Sequence, residues 1–148
     1  MKHVRLKRIA VASSMTIAPL VAVGTYSAAP AYASFIGIKC LGLLGTVTGG
    51  VTLQNCTGHT GMFSKSFSAT VLADGGKITW VNGKATTIKV TAKNGTKTCP
   101  DGLPDIITSG TTTADTTKSA PVGGKVTIQW CLTEQTINQV QGTIPRIG

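Results

Sequence analysis

An all-β fold, arranged as a single antiparallel β-sandwich or a small Greek-key barrel of roughly six to eight short strands, is what this sequence predicts. Three observations carry the expectation. Lys77 to Thr91 reads as two alternating apolar and polar runs on either side of an Asn82-Gly83 turn signal. Threonine and glycine are abundant and no segment sustains a helical period, which opposes helix and suits strands and turns. Four cysteines, Cys40, Cys56, Cys99 and Cys131, make an even set, which in an exported chain reads as two disulfides.

Export is predicted by the first residues. A basic start (Lys2, Arg5, Lys7, Arg8) precedes an apolar stretch from Ile9 to Val23, and Ala31-Tyr32-Ala33 offers a cleavage site before Ser34. The apolar stretch is shorter than the roughly 20 residues a membrane span needs, and no charged stop-transfer segment follows it. Residues 1–33 are therefore expected to be a secretory signal peptide cleaved after Ala33. Residues 34–148 would be the secreted, extracellular product, one β-domain of 115 residues that does not span the membrane. Without the signal, ten basic residues face five acidic ones, a net charge of +5.

Taken in order, the mature chain begins with an apolar, glycine-punctuated run containing Phe35, Ile36, Ile38, Leu41, Leu43 and Leu44 around Cys40. This run is either a first edge strand or a self-association surface. Val47, Val51 and Leu53 alternate with Thr48, Thr52 and Gln54 in a half-buried strand that ends at Cys56. Thr57 to Gly61 is a loop carrying His59, the one histidine beyond the signal. A strand is expected from about Lys65 to Leu72, with Phe67, Ala69 and Val71 inward, before Asp74-Gly75-Gly76 turns the chain into the hairpin.

The hairpin's turn length decides which residues share a face. A two-residue Asn82-Gly83 loop would split the apolar set. A three-residue loop with Gly83 in the left-handed conformation instead gathers Ile78, Trp80, Ile88 and Val90 on one side. The opposite side then carries Lys77, Thr79, Thr87, Lys89 and Thr91, with Lys93 beyond and Lys84 and Lys97 nearby. Lys93 to Thr96 reads as a further turn, and Cys99 to Asp105, with two prolines, as a surface loop. Ile106 to Thr113 is a weakly patterned strand, and Asp115 to Gly124 a turn region. Lys125 to Leu132 places Val126, Ile128, Trp130 and Leu132 together, making Trp80 and Trp130 the two core anchors. One closing strand is expected in the polar tail. Of three possible cysteine pairings, Cys40–Cys56 and Cys99–Cys131 suit the two clusters that flank the hairpin. Zinc competes weakly, since no Cys-x-x-Cys knuckle exists.

Together, the cleaved signal, the Gly45 to Thr48 strand after a cysteine, Cys56-Thr57-Gly58, the Ile-Thr-Trp-x-Asn-Gly hairpin, Cys99-Pro100 and a late strand ending in cysteine resemble small secreted proteins of actinobacteria. That resemblance implies an exported, two-disulfide, all-β domain and carries no assigned activity. Cys99-Pro100 is also similar to the start of the protease-binding loop of the actinobacterial subtilisin-inhibitor type. That likeness implies an inhibitory segment Pro100-Asp101-Gly102, with Asp101 facing the protease's primary pocket.

The inventory of chemistry is thin. Hydrolysis usually calls on a histidine base or paired carboxylates, and the mature chain offers His59, Asp74, Asp101, Asp105, Asp115 and Glu134, most of them in turns. No catalytic set, cofactor site or metal loop is expected. The leading reading is a non-catalytic exported domain that binds or associates at or outside the cell envelope, its partner a cell-envelope polymer or a secreted protein. The alternatives are the serine-protease inhibitor and, behind it, a hydrolytic enzyme. Lys77, Lys89 and Lys93 form a candidate basic face. With no aromatic residue among them, specific nucleic-acid recognition is not expected.

Overall fold

The computed structural model describes residues 37–148. The expected signal peptide, residues 1–33, and Phe35 and Ile36 of the apolar run lie outside the described residues. The chain forms β1 (Ile38–Thr46), β2 (Gly50–Cys56), a one-turn helix α1 (Thr70–Asp74), β3 (Gly76–Thr79), β4 (Ala85–Thr98), β5 (Pro104–Asp115), β6 (Lys125–Thr133), β7 (Thr136–Gln139) and β8 (Arg146–Ile147). The strands form one antiparallel sheet in the order β2-β1-β7-β6-β5-β4-β3, with β8 pairing β1 and β6. The expected all-β, antiparallel, two-disulfide chain is what forms.

The sheet closes on itself through residues 62–67, which hydrogen-bond to both of its edges. On one side Ser64 N–H donates to Leu53 O (3.0 Å), and Val51 and Phe67 exchange backbone bonds of 2.8 and 3.0 Å. On the other, Lys65 N–H donates to Thr79 O (2.8 Å) and Val81 N–H to Phe63 O (3.1 Å). Both terminal strands of the sheet, β2 and β3, thus gain partners, while β4 beyond Ile88 has no ladder partner on the β3 side. Of the two architectures expected, the barrel is the one built. Its strands follow one another around it in chain order, so no connection makes a Greek-key jump.

Hairpin register follows the three-residue alternative. Ile78 pairs with Thr86 and Thr79 with Ala85, while Trp80 N–H donates to Lys84 O at 2.8 Å and Gly83 adopts φ +83°. Only a residue without a Cβ takes that φ readily, and the third loop residue restores the face of the even positions. Ile78, Trp80, Ile88 and Val90 are all buried, in one cluster with Val51, Leu53, Val126, Ile128, Ile137 and Ile147. Trp80 is 0% and Trp130 6% exposed, so both anchors lie inside.

Each indole meets a threonine from an adjacent strand. Trp80 Nε1–H donates to Thr86 Oγ1 (2.9 Å), which in turn donates to Asp115 Oδ1 (2.7 Å). Trp130 Nε1–H donates to Thr108 Oγ1 (3.0 Å), which donates to the carbonyl of Leu72 in α1. Thr108 of β5 and, across the ladder, Thr86 of β4 thus satisfy donors that would otherwise be stranded in an apolar interior, whereas the buried Thr112 hydroxyl of β5 has no partner.

Several expectations need correction. Residues 65–72 are not a strand with Ala69 and Val71 inward. They give a single bridge at Phe67 and then α1, which buries Val71 and Leu72. Ser68 Oγ turns the chain there, within reach of both Thr70 Oγ1 (2.8 Å) and Thr70 N (3.3 Å), ending the extended run. Lys93 to Thr96 is not a turn, since β4 continues to Thr98 with a bulge opposite Asp105. Gly95 makes the bulge possible: a side chain there would collide with the Asp105 carboxylate, which accepts Lys97 N–H at 2.8 Å. Val47 is exposed in the β1–β2 turn rather than in a strand. The apolar run divides, with Ile38, Cys40 and Leu43 in the core and Leu41 and Leu44 exposed. The tail supplies two short strands instead of one.

Cys40 and Cys56 lie directly opposite on β1 and β2, and Cys99–Cys131 ties the tip of the β4–β5 hairpin to β6. Loops of 16 and 32 residues should each contribute about 3 to 4 kcal/mol in the chain-entropy description.

Thr108→Val keeps the side chain's shape but orphans the Trp130 indole N–H and the Leu72 carbonyl. Denaturant unfolding of the oxidised protein should show a loss of roughly 2 to 4 kcal/mol. A loss under about 0.5 kcal/mol, the usual range of an inconsequential substitution, would contradict the relay.

Candidate functional site

The sequence singled out His59 with the carboxylates, the Cys99-Pro100 segment and the lysines of the hairpin, and the barrel sorts them. His59 and Asp115, far apart in sequence, meet at one mouth of the barrel. Asp115 pairs with Thr86 in the ladder, and its carboxylate accepts from Thr86 Oγ1, Thr117 Oγ1, and the N–H groups of Thr117, Ser119 and Ala120 at 2.7–3.2 Å. His59 is exposed. Its Nδ1 donates to Thr117 O (3.2 Å), its N–H donates to Ser119 Oγ (2.9 Å), and its carbonyl accepts from Asn82 Nδ2 (2.6 Å). Aspartate, serine and histidine thus come together mostly through backbone atoms. Ser119 is 2% exposed, and every one of these contacts except that of Asn82 with the His59 carbonyl holds the 115–120 loop over the barrel end.

Burial pushes the Asp115 carboxyl up, but the hydrogen bonds from Ala120, Thr117, Thr86 and Ser119 outweigh it and hold the group below the usual carboxylate range.

The Cys99-Pro100-Asp101-Gly102 segment is the tip of the β4–β5 hairpin. Gly102 N–H donates to Cys99 O (2.9 Å), Cys99 N–H to Leu103 O (2.8 Å), and Asp101 Oδ1 accepts Leu103 N–H (3.1 Å). Asp101 therefore sits inside a closed turn. An inhibitory segment has to lie extended so that its backbone can pair with the protease, and this one does not.

The basic face grows. Lys77, Lys89 and Lys93 are exposed on the outward side of β3 and β4, as expected. Register then carries the charge around the barrel. Lys89 pairs with Thr111, which pairs with Lys125. The next row runs Thr91, Ser109, Thr127, Arg146, Lys39 across β4, β5, β6, β8 and β1. Lys39, Lys125 and Arg146 are the residues sequence reasoning missed. The signal was present for Lys125, which holds an outward odd position in its own alternation. Lys39 and Arg146 join the face only through pairings between the two ends of the domain.

Carboxylates are nearly excluded from these positions. Asp74 ends α1, Asp101 is in the hairpin tip, Asp115 closes the mouth and Glu134 is in the β6–β7 turn. Asp105 alone lies on this side, 0% exposed, with its oxygens taken by Lys97 N–H and Gln129 Nε2. Beside it a groove of about 480 Å³ opens along β6, lined by Lys97, Lys125, Thr127, Gln129, Thr143 and Arg146 among others. Among the described residues no group of three or more histidines, cysteines and carboxylates is placed to hold a metal ion.

Compared with protein-family models, with curated proteins and with solved structures, the chain matches none.

Since the folded Asp115 carboxyl takes up its proton less readily than the unfolded one, the stability it provides is complete above the unfolded value and drains away as pH falls through the lower, folded one. Thermal melts should therefore fall steeply below about pH 4. Asp115→Asn should flatten that acid limb and cost on the order of 2 kcal/mol at neutral pH. An acid limb unchanged by the substitution would contradict the assignment.

Proposed function

We propose that this protein is a non-catalytic, exported β-barrel domain that binds anionic polymer at or outside the cell envelope through the outward face of β3, β4, β6, β8 and β1. One observation carries the reading. Of the ten basic residues beyond Ser34, seven (Lys39, Lys77, Lys89, Lys93, Lys97, Lys125 and Arg146) lie on the outer wall from β3 round to β1, where the one carboxylate is buried. Such a distribution raises the potential along that wall, concentrates polyanions there and speeds their capture in a salt-screened manner. Interleaved threonines (Thr87, Thr91, Thr111, Thr127) supply hydroxyls without covering the charges. Two disulfides, and no helix among the described residues long and apolar enough to cross a membrane, fit a protein acting outside the cell.

A second observation favours association with another protein surface. Leu41 (66% exposed), Leu44 and Val47 crowd the β1–β2 hairpin, and Met62, Phe63 and Val81 stand exposed where residues 62–67 meet the end of β3. Binding by this route would be insensitive to salt.

The two readings separate on an anionic matrix and on purified envelope. Lys77→Gln, Lys89→Gln and Lys93→Gln combined should lower the salt needed for elution from both by about half, with melting temperature within a few degrees of the parent. If the triple variant elutes with the parent, the lysines are a solvated face and the apolar hairpin becomes the surface to mutate.

A further inference from the structure

β7 and β8 occupy a single position of the barrel. Both run antiparallel to β6 and β1, β7 against Trp130–Thr133 and Leu44–Thr46, β8 against Val126–Thr127 and Ile38–Lys39. Between them residues 140–145 leave the sheet. The excursion is held by Thr143 Oγ1 donating to Val140 O (2.7 Å), by the Gln139 side chain bonding to Thr143 O, and by Cys40 N–H donating to Pro145 O (3.0 Å). The interruption leaves Ile128 and Gln129 of β6 without a ladder partner on this side, between Thr127 opposite Arg146 and Trp130 opposite Gln139, and Gln129 borders the open groove.

From this we infer that the interrupted strand position is a discrete binding site for phosphoryl groups, resting on the polyanion reading above and narrowing its ligand to a phosphate-bearing chain. Three cations border the groove, none ion-paired among the described residues. Arg146 stands directly across from Thr127. Lys125 is two residues along β6, about 7 Å away, and Lys97 borders the opposite end beyond Gln129, a span of about 14 Å or more at strand spacing. Asp105 lowers the positive potential here without ion-pairing any of the three: its two oxygens accept the Lys97 backbone N–H and one N–H of the Gln129 amide, which holds that side chain in the groove wall with a second N–H to give.

The donor set selects the ligand. A planar guanidinium fork between two ammonium groups, with a hydroxyl at Thr127 and an amide at Gln129, surrounds the groove from several directions. That arrangement suits tetrahedral phosphoryl oxygens and the charge of a short phosphate chain better than one flat, singly charged carboxylate. The volume, about 480 Å³, exceeds one oxyanion and accommodates several linked groups.

Isothermal titration with sodium tripolyphosphate at constant ionic strength is the test, with tricarballylate as the carboxylate control. The parent should bind one tripolyphosphate saturably and tricarballylate at least tenfold more weakly. Arg146→Gln should weaken tripolyphosphate binding at least tenfold, and Arg146→Lys, which keeps the charge but loses the fork, several-fold. Lys65→Gln with Lys118→Gln, two exposed cations outside the basic face, should leave it within twofold. Should Arg146→Gln fail to fold, Lys97→Gln with Lys125→Gln, neither of which removes a strand pairing, should give the same tenfold loss. Equal binding of the tricarboxylate, an Arg146→Lys variant as tight as the parent, or equal losses from the Lys65 and Lys118 changes would each overturn the site. Envelope retention of the same proteins separates the two ideas. Retention without tripolyphosphate binding removes the groove alone, whereas loss of both in the parent removes the polyanion reading as well.

Discussion

Two indole N–H groups inside a closed barrel of about one hundred residues impose the constraint on which the rest of this structure depends. Each tryptophan brings a large apolar surface and one donor that must be satisfied away from water. The solution is the same twice: a threonine hydroxyl on the neighbouring strand accepts from the indole and passes its own proton on, to the Asp115 carboxylate in one case and to the α1 carbonyl in the other. One relay fastens the 115–120 loop across a barrel end, and the other docks α1 against β5. Apolar packing, loop closure and helix placement are thus fixed by one kind of contact.

Closure has an electrostatic consequence. Once residues 62–67 pair with both β2 and β3, every strand has an inside and an outside, and each apolar inward residue sends its sequence neighbours to solvent. The inside accommodates isoleucine, valine, tryptophan and a few threonines, two of which take the indole donors. Lysine has nowhere to go but outward. The clustering of cations across six adjacent strand positions goes further than alternation demands, because alternation would equally allow lysine and glutamate to intermix there. Holding seven like charges on one stretch of barrel wall costs folding energy through repulsion, a cost that a bound polyanion would offset.

Much of this was legible locally. The Lys77 to Thr91 alternation with its Asn-Gly signal contains its own register, so the inward set, both tryptophan anchors and the outward Lys77, Lys89 and Lys93 could be read directly. The failures share one cause, which is that the deciding partner lies far away in sequence. Lys93 to Thr96 looks like a turn until Asp105 is seen to fill the space over Gly95. Residues 65–72 alternate well, yet a serine-initiated bend and the docking of Leu72 beneath Thr108 make a helix of their second half. Arg146 and Lys39 enter the basic face only because β8 lies between β6 and β1, and no local pattern announces that pairing. The groove is less legible still, being made by a strand that leaves the sheet and returns.

An interior fixed by hydrogen-bonded relays and an exterior organised for charge should respond separately to a ligand, and nuclear magnetic resonance of the backbone amides and the two indole N–H groups, with and without saturating polyphosphate, reads both at once. The account predicts shifts confined to outward residues of β3, β4, β6 and β8, to Lys39 and to residues 142–146, while the Trp80 and Trp130 indole signals stay where they were. Shifts centred on Leu41, Leu44, Met62 and Phe63, or movement of the indole signals comparable to that of Arg146, would contradict it.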